Sequence, residues 1–150
     1  NMKINTFTNL AYRVLTYMAL KEQDMVTTME IAEAYSVSYN HLKKVMAKLT
    51  EFGYINSTKG RSGGFKLAKP KEAINLGAVF RITIENVAIA ECFASPTNQC
   101  VISPDCKLRN ILQDATSRFI AELDQYTLLD LVQGREGALA SHLKLDVVNV

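Results

Sequence analysis

The spacing of two helix starts constrains the fold of this chain more than any other feature of its sequence. Thr27 with Glu30 forms the pattern of a capping box, which predicts a short helix over residues 28–35. After a two-residue break, Ser38 is positioned to cap a second helix, which is predicted to end at Gly53. The apolar face of this second helix is formed by Leu42, Val45, Met46, Leu49 and Phe52. Two helices joined by so short a turn indicate a helix-turn-helix.

A β-hairpin is predicted directly after this helix pair. Residues 54–58 and 65–67 have β-forming patterns, and the turn between them contains Gly60, Gly63 and Gly64. Because this glycine-rich turn joins two strands and does not open a helix, it lacks the context of a nucleotide-binding loop. A hairpin after a helix-turn-helix predicts a winged helix. The predicted fold class is therefore mainly α with a small β-hairpin wing.

Positive charge is concentrated in this winged-helix segment. Residues 38–71 hold eight lysine and arginine side chains and one acidic residue, Glu51, although the whole chain has a net charge of only +2. Such a stripe fits the phosphates of double-stranded operator DNA, and the alternative is an ordinary solvated face. In the DNA reading, the first turn of the second helix contacts base edges and the wing contacts the backbone or the minor groove. The residues predicted to contact DNA are Ser38, Tyr39, Asn40, His41, Lys43, Lys44, Lys59, Arg61, Ser62 and Lys66.

The three cysteines of the chain lie close together, at Cys92, Cys100 and Cys106. An odd number in one short segment argues against a disulfide framework. Residues 88–106 have no periodic pattern, which predicts a long loop on which three thiolates can converge. Soft ligands of this kind select zinc, copper(I) or an iron–sulfur cluster, and wide spacing without a histidine in the loop favours the cluster. The alternative is three ordinary free thiols.

A long amphipathic helix is predicted after the cysteines. Its main apolar stripe consists of Leu112, Ala115, Phe119, Leu123 and Tyr126. A second apolar edge at Ile111 and Ile120 means that two sides of this helix must be buried, and a second subunit can cover one of them. The alternative is that the helix packs only on its own domain. Thr127 with Asp130 predicts a short capped helix after it. The predicted parts are a DNA-binding domain over 1–87, a cysteine loop over 88–106, a dimerisation helix with the short capped helix over 107–133, and a C-terminal tail over 134–150.

The order of these motifs resembles the Rrf2 family of bacterial winged-helix regulators. The similar segments are Phe-Thr-Asn-Leu-Ala-Tyr-Arg at 7–13, the Lys-Gly-Arg-Ser-Gly-Gly-Phe-Lys-Leu wing, Ala-Glu-Cys-Phe at 90–93, and the end of the long helix. The resemblance implies a homodimeric repressor with an iron–sulfur cluster near the dimer interface. It also implies that Cys92, Cys100 and Cys106 are the cluster ligands and that the cluster state is coupled to DNA affinity.

The resemblance leaves the fourth cluster ligand open. Family members that sense nitric oxide have an aspartate near the N-terminus, where this chain has Asn9, and an amide is a poorer iron ligand than a carboxylate. Other members have a histidine three residues after the last cysteine, where this chain has Arg109. The region of Asn9 is therefore the candidate fourth-ligand region. A weakly held fourth iron suits a sensor better than a stable electron carrier.

Together these features predict a cytoplasmic DNA-binding repressor that senses iron and cluster status or nitric oxide. The expected cofactor is a [4Fe-4S] cluster, with [2Fe-2S] as the alternative, and exposure to air is expected to remove it. The competing function is a metal-free winged-helix repressor that senses redox state through its thiols. The chain has no nucleophile–base constellation or paired carboxylate motif, so an enzyme with a small-molecule substrate is not expected. A membrane partner is not expected either.

Overall fold

The computed structural model describes residues 4–84 and 105–146. In chain order its elements are α1 (Thr6–Leu20), α2 (Thr28–Tyr35), α3 (Tyr39–Glu51), β1 (Ile55–Thr58), β2 (Gly64–Leu67), a 3₁₀ turn (Lys71–Ala73), α4 (Leu76–Thr83), α5 (Lys107–Leu123), α6 (Leu128–Val132) and α7 (Glu136–His142). The predicted winged helix with its two-stranded wing is confirmed. Apart from its last two residues, the predicted cysteine loop lies outside the described residues.

The helix-turn-helix forms where the capping pattern predicts it. The Glu30 backbone N–H donates to Thr27 Oγ1 at 3.1 Å, and the Thr27 backbone N–H donates to Glu30 Oε1 at 2.6 Å. Ser36 ends α2 in the left-handed region, with a φ of 53°. The Ser38 side chain then caps α3 by accepting from the His41 backbone N–H. Local side-chain caps therefore fix the starts of α2 and α3, and the left-handed Ser36 ends α2 between them.

The wing is an antiparallel pair that is joined to the chain just before α2. Ile55 pairs with Leu67 at one end of the ladder, and Thr58 pairs with Gly64 at the other. Val26 and Phe65 exchange two backbone hydrogen bonds, of 2.9 and 2.7 Å. Gly64 has a φ of 150°, and a Cβ there would lie 2.6 Å from the Val26 carbonyl oxygen. Only glycine fits this position, which holds the wing against the helix-turn-helix.

The core is built around α1. This helix contacts α3, α4, α6 and β2, and its Val14 and Leu15 are completely buried. Burial of a side chain of this size contributes about 1.5–3 kcal/mol. The other largest buried side chains are Met18, Val26, Ile31, Leu42, Val45, Met46, Leu49, Ile55, Ile74 and Leu128. The core therefore joins the helix-turn-helix to α6.

The C-terminal helices differ in how deeply they pack. No residue of α5 is buried in the described structure, and its principal contact is α4. The short helix α6 begins with the predicted Thr127–Asp130 capping box and buries Leu128 and Val132. Within the segment predicted as a tail, α7 forms a further helix, which was not predicted, and it buries Ala140. In the described segments no helix is long and apolar enough to span a membrane.

Candidate nucleic-acid interface and cysteine site

The first turn of α3 presents the side chains that the sequence predicts to read bases. Ser38, Tyr39, Asn40 and His41 are all exposed. The opposite side of α3 is anchored in the core by Leu42, Val45, Met46 and Leu49, which are no more than 1% exposed. Because these four side chains fix the rotation of α3, they also determine which residues face solvent. The helix therefore offers a fixed polar surface of hydroxyl, amide and imidazole groups.

The lysines of α3 extend this polar surface. Lys43 and Lys44 are exposed, and Lys43 Nζ lies 5.9 Å from the centre of the Tyr39 ring. A cation this close to an aromatic face is attracted to it, which favours a position of Lys43 beside Tyr39. Lys44 lines a groove of about 490 Å³ together with Ala47 and Ile82. Positive charge therefore flanks the first turn of α3.

The wing presents the second group of predicted DNA-contacting residues. Lys59, Arg61, Ser62 and Lys66 are exposed. The turn between the strands is closed by a hydrogen bond of 3.0 Å from the Gly63 N–H to the Gly60 carbonyl. A Cβ at Gly63 would overlap the Thr58 carbonyl, so this tight turn requires glycine. All ten residues predicted to contact DNA are thus accessible to a ligand.

A groove of about 720 Å³ runs between α1 and the start of α3. Asn9 and Arg13 line it from α1, and Ser38 and His41 line it from α3. The predicted fourth-ligand region, Asn9, therefore lines the same groove as two of the predicted base-reading residues. Arg13 was not among the residues predicted from the sequence. Its position one helical turn after Asn9 was the available signal, because residues four apart share a helix face.

Glu30 joins α2 to α1 through a second set of contacts. Its Oε2 accepts hydrogen bonds from the Tyr17 hydroxyl at 2.9 Å and from Lys21 Nζ at 3.1 Å. Partial burial opposes ionisation of Glu30, but hydrogen bonds from the Thr27 N–H, Lys21 and Tyr17 outweigh it and lower the pKa of the carboxyl. Burial, followed by the Glu30 hydrogen bond, raises the pKa of Tyr17. The same carboxylate thus caps α2 and fixes it on α1.

Of the three predicted cluster ligands, Cys106 lies within the described residues. It is the N-cap residue of α5, is partly exposed, has a free thiol and makes no side-chain capping bond. Cys92 and Cys100 lie outside the described residues. Within 4–84 and 105–146, no three His, Cys, Asp or Glu side chains are grouped so that they could hold a metal ion. The structure therefore leaves Cys106 accessible as a ligand without testing the complete cysteine set.

The N-terminal half of α5 exposes large apolar side chains. Leu108 is 58% exposed and Ile111 is 61% exposed. The predicted stripe is partly covered at Leu112, Phe119 and Leu123, and the Phe119 ring lies 5.2 Å from the Phe80 ring of α4. The described chain therefore leaves Leu108 and Ile111 uncovered.

Comparisons with known proteins agree with this fold. A family model described as Rrf2, iron-dependent transcriptional regulator, matches residues 4–134. The HTH-type transcriptional regulator NsrR of Halalkalibacterium halodurans is 41% identical over 145 residues, which is 96% of this chain and 99% of that protein. The solved structure of IscR from T. potens has a TM-score of 0.72 at 20% identity, covering 92% of this chain and 91% of that one. The oxidised form of CymR from Staphylococcus aureus has a TM-score of 0.68 at 25% identity, covering 88% of this chain and 97% of that one.

Proposed function

This chain belongs to the Rrf2 family of transcriptional regulators, and we propose that it is a homodimeric repressor whose operator affinity depends on an iron–sulfur cluster. The observation that carries this proposal is the groove in which Asn9 lies beside Ser38 and His41. A group that fills this groove would contact both Asn9 and the start of α3. The proposed parts remain a DNA-binding domain over 1–87, a cysteine loop over 88–106, dimer elements over 107–133 and a tail over 134–150.

In this proposal, α3 is the recognition helix. Its exposed first turn enters the major groove, where Asn40 and His41 have donors and acceptors for base edges. Lys43 and Lys44 then lie beside phosphates. The wing adds Lys59, Arg61, Ser62 and Lys66, with Arg61 contacting a phosphate or the minor groove.

The proposed dimer forms through α5. Leu108 and Ile111 are three residues apart and therefore share one face of the helix, and both are more exposed than they are covered. A second copy of the chain would remove this apolar surface from water, which favours association. The dimer would present two copies of α3 to two half-sites of operator DNA.

Cys92, Cys100 and Cys106 would hold the cluster, which is proposed to be [4Fe-4S], with [2Fe-2S] as the alternative. Thiolates are the usual ligands of such clusters, and the accessible Cys106 thiol at the start of α5 fits this role. When bound, the cluster would supply an iron site sensitive to nitric oxide or to iron supply. Cys106 would hold one end of α5, and Asn9, in the groove beside α3, would face the cluster of the partner subunit.

The experiment for this proposal is anaerobic purification followed by iron and sulfide analysis and absorption spectroscopy. The wild type is expected to be coloured and to contain iron and sulfide, because three cysteines are available. The variant Cys92→Ser with Cys100→Ser and Cys106→Ser is expected to be colourless and folded. Colourless, iron-free wild type from anaerobic cells would overturn the cluster proposal.

The alternative function is a thiol redox sensor without metal. Two observations support this alternative: the chain is similar to a CymR structure described as oxidised, and the Cys106 thiol is partly exposed. It predicts an iron-free protein whose DNA affinity changes reversibly with peroxide and dithiothreitol. If the iron-containing form responds to nitric oxide and the iron-free form ignores peroxide, this alternative is eliminated.

A further inference from the structure

We propose that Gly77, Arg81 and Asp124 form a joint that fixes the angle of α5 and thereby sets the half-site spacing accepted by the dimer. We call these three residues the α4–α5 joint. The inference rests on the proposed function, because it takes α5 as the dimer helix and two DNA half-sites as the ligand. None of the three residues is among those predicted to contact DNA or the cluster.

The joint is built from one carboxylate at the end of α5. Arg81 Nη1 donates to Asp124 Oδ1 at 2.6 Å, and Arg81 also donates through Nη2 to Asp124 Oδ2 at 2.7 Å. A bidentate pair fixes the relative orientation of its partners as well as their distance. The hydrogen bond from Arg81 lowers the pKa of Asp124 further below neutral pH. A Cβ on the buried Gly77 would overlap this carboxylate, so a larger residue there would displace the Asp124 side chain from Arg81.

Hydrogen bonds to backbone carbonyls connect the joint to the start of α4 and to α1. The Asn75 side-chain amide donates to the Asp124 carbonyl at 2.6 Å, and Asn75 is also the N-cap residue of α4. The Leu76 N–H donates to the Tyr126 carbonyl at 3.0 Å. The Leu76 carbonyl in turn accepts a hydrogen bond of 2.7 Å from the Tyr12 hydroxyl on α1. Since α1 packs on α3, the end of α5 is connected to the recognition helix through short contacts.

Between the Phe119–Phe80 ring contact of 5.2 Å and the N-terminal end of the helix, α5 has no buried residue that could hold it at a fixed angle. No residue of this helix is buried in the described structure, and Leu108 and Ile111 are exposed. The helix has 17 residues, a length of about 25 Å. A tilt of about 10° at the joint would therefore move its far end by about 4 Å, more than the roughly 3.4 Å rise between bases. In a twofold dimer through α5, such a tilt would change the separation of the two recognition helices.

The test uses a duplex selected from a randomised library by the wild-type protein. Binding is measured on this duplex, on versions with one base pair inserted or deleted between the half-sites, and on a single half-site. For the wild type, one inserted base pair is expected to weaken binding about tenfold or more, because the half-sites must match the dimer geometry. For Asp124→Asn and Gly77→Ala, the same insertion is expected to weaken binding about threefold or less, with the single half-site affinity unchanged.

Two variants and one control separate a joint from ordinary structural support. Asp124→Asn keeps the size of the side chain and removes its charge, so it decides the outcome if Gly77→Ala does not fold. The control is Glu22→Gln, which breaks another exposed ion pair, between Lys71 Nζ and Glu22 Oε2 at 3.2 Å, and should keep the wild-type spacing profile. If Asp124→Asn and Gly77→Ala fold and keep the wild-type dependence of binding on half-site spacing, the inference about the α4–α5 joint is overturned and the proposed function is not affected. Wild type that binds without any spacing preference would overturn the dimeric DNA-binding proposal as well.

Discussion

The Tyr35 hydroxyl donates a hydrogen bond of 2.9 Å to the Arg13 carbonyl, and the Arg13 guanidinium lies 5.7 Å from the centre of the Tyr35 ring. These two contacts fasten the last residue of α2 to α1, directly before the left-handed turn at Ser36. Arg13 also lines the groove that contains Ser38 and His41. The residue pair therefore joins the groove to the turn that positions α3.

Tyr35→Phe is expected to lower the free energy of unfolding by about 1 kcal/mol, because it removes one hydrogen bond to a backbone carbonyl. Burial raises the pKa of Tyr35 to about 12, so the hydroxyl is a proton donor throughout the neutral range. DNA affinity should also fall, since the turn before α3 loses one of its supports. Urea unfolding and DNA titration measure the two effects. The matched control is Tyr126→Phe, whose hydroxyl makes a longer 3.3 Å contact in an exposed position; equal losses in both variants would contradict this role of Tyr35.

Glu30→Gln is expected to change how stability depends on pH. The pKa of Glu30 is lowered in the folded chain, so its ionised form stabilises the fold above the unfolded pKa of about 4.3. That stability is lost as the pH falls through the folded-state pKa. Urea unfolding should show a loss of about 1 kcal/mol for Glu30→Gln at pH 7 and a shallower decline below about pH 5 than in wild type. Glu33→Gln is the exposed control on the same helix, and a decline in Glu30→Gln as steep as in wild type would exclude this carboxylate as the cause.

The double variant Leu108→Asp with Ile111→Asp is expected to be monomeric. Both side chains are exposed in the described chain, so charges there should leave the fold intact while making burial against a second copy unfavourable. Sedimentation velocity should give a dimer for the wild type and a monomer for the variant, with unchanged circular dichroism. Gln113→Asp adds a charge at another exposed position of α5 and should stay dimeric. A dimeric double variant would exclude this face as the interface.

Arg61→Ala is expected to weaken DNA binding and to flatten its salt dependence. Removal of one phosphate contact reduces the slope of log affinity against log salt by about one. The control is Arg135→Ala, which removes an exposed arginine far along the chain from the wing. Affinity measured over a series of salt concentrations distinguishes the two variants. An unchanged slope for Arg61→Ala would remove this residue from the phosphate contacts.

The sequence predicts those parts of the fold that local chemistry determines. The Thr27–Glu30 and Thr127–Asp130 capping boxes and the Ser38 cap each involve residues three apart, so their patterns can be read directly. Contacts between distant segments could not be read in this way. The hydrogen bond between Tyr35 and Arg13 depends on how α2 packs on α1, and the close approach of Asp124 to Gly77 depends on how α5 packs on α4. Helix α7 was missed for the same reason, since its burial at Ala140 comes from tertiary packing.

The sequence predicted which residues form the exposed surface of α3, but it did not predict how the other site residues are arranged around them. Exposure of the first turn of α3 follows from the apolar spacing of Leu42, Val45 and Leu49, which requires the opposite side to face solvent. The groove that brings Asn9 next to His41 required the packed structure. That Cys92, Cys100 and Cys106 together bind a cluster stays a prediction.

The central claim is that cluster occupancy sets DNA affinity, and the most direct test is a titration with one protein preparation divided in two. One half is kept anaerobic with its iron and sulfide intact, and the other is demetallated with a chelator and checked for retained fold. Fluorescence anisotropy on the selected duplex should give an affinity at least about tenfold lower for the demetallated half, since coupling requires different affinities in the two states. Equal affinities for both halves would contradict the account.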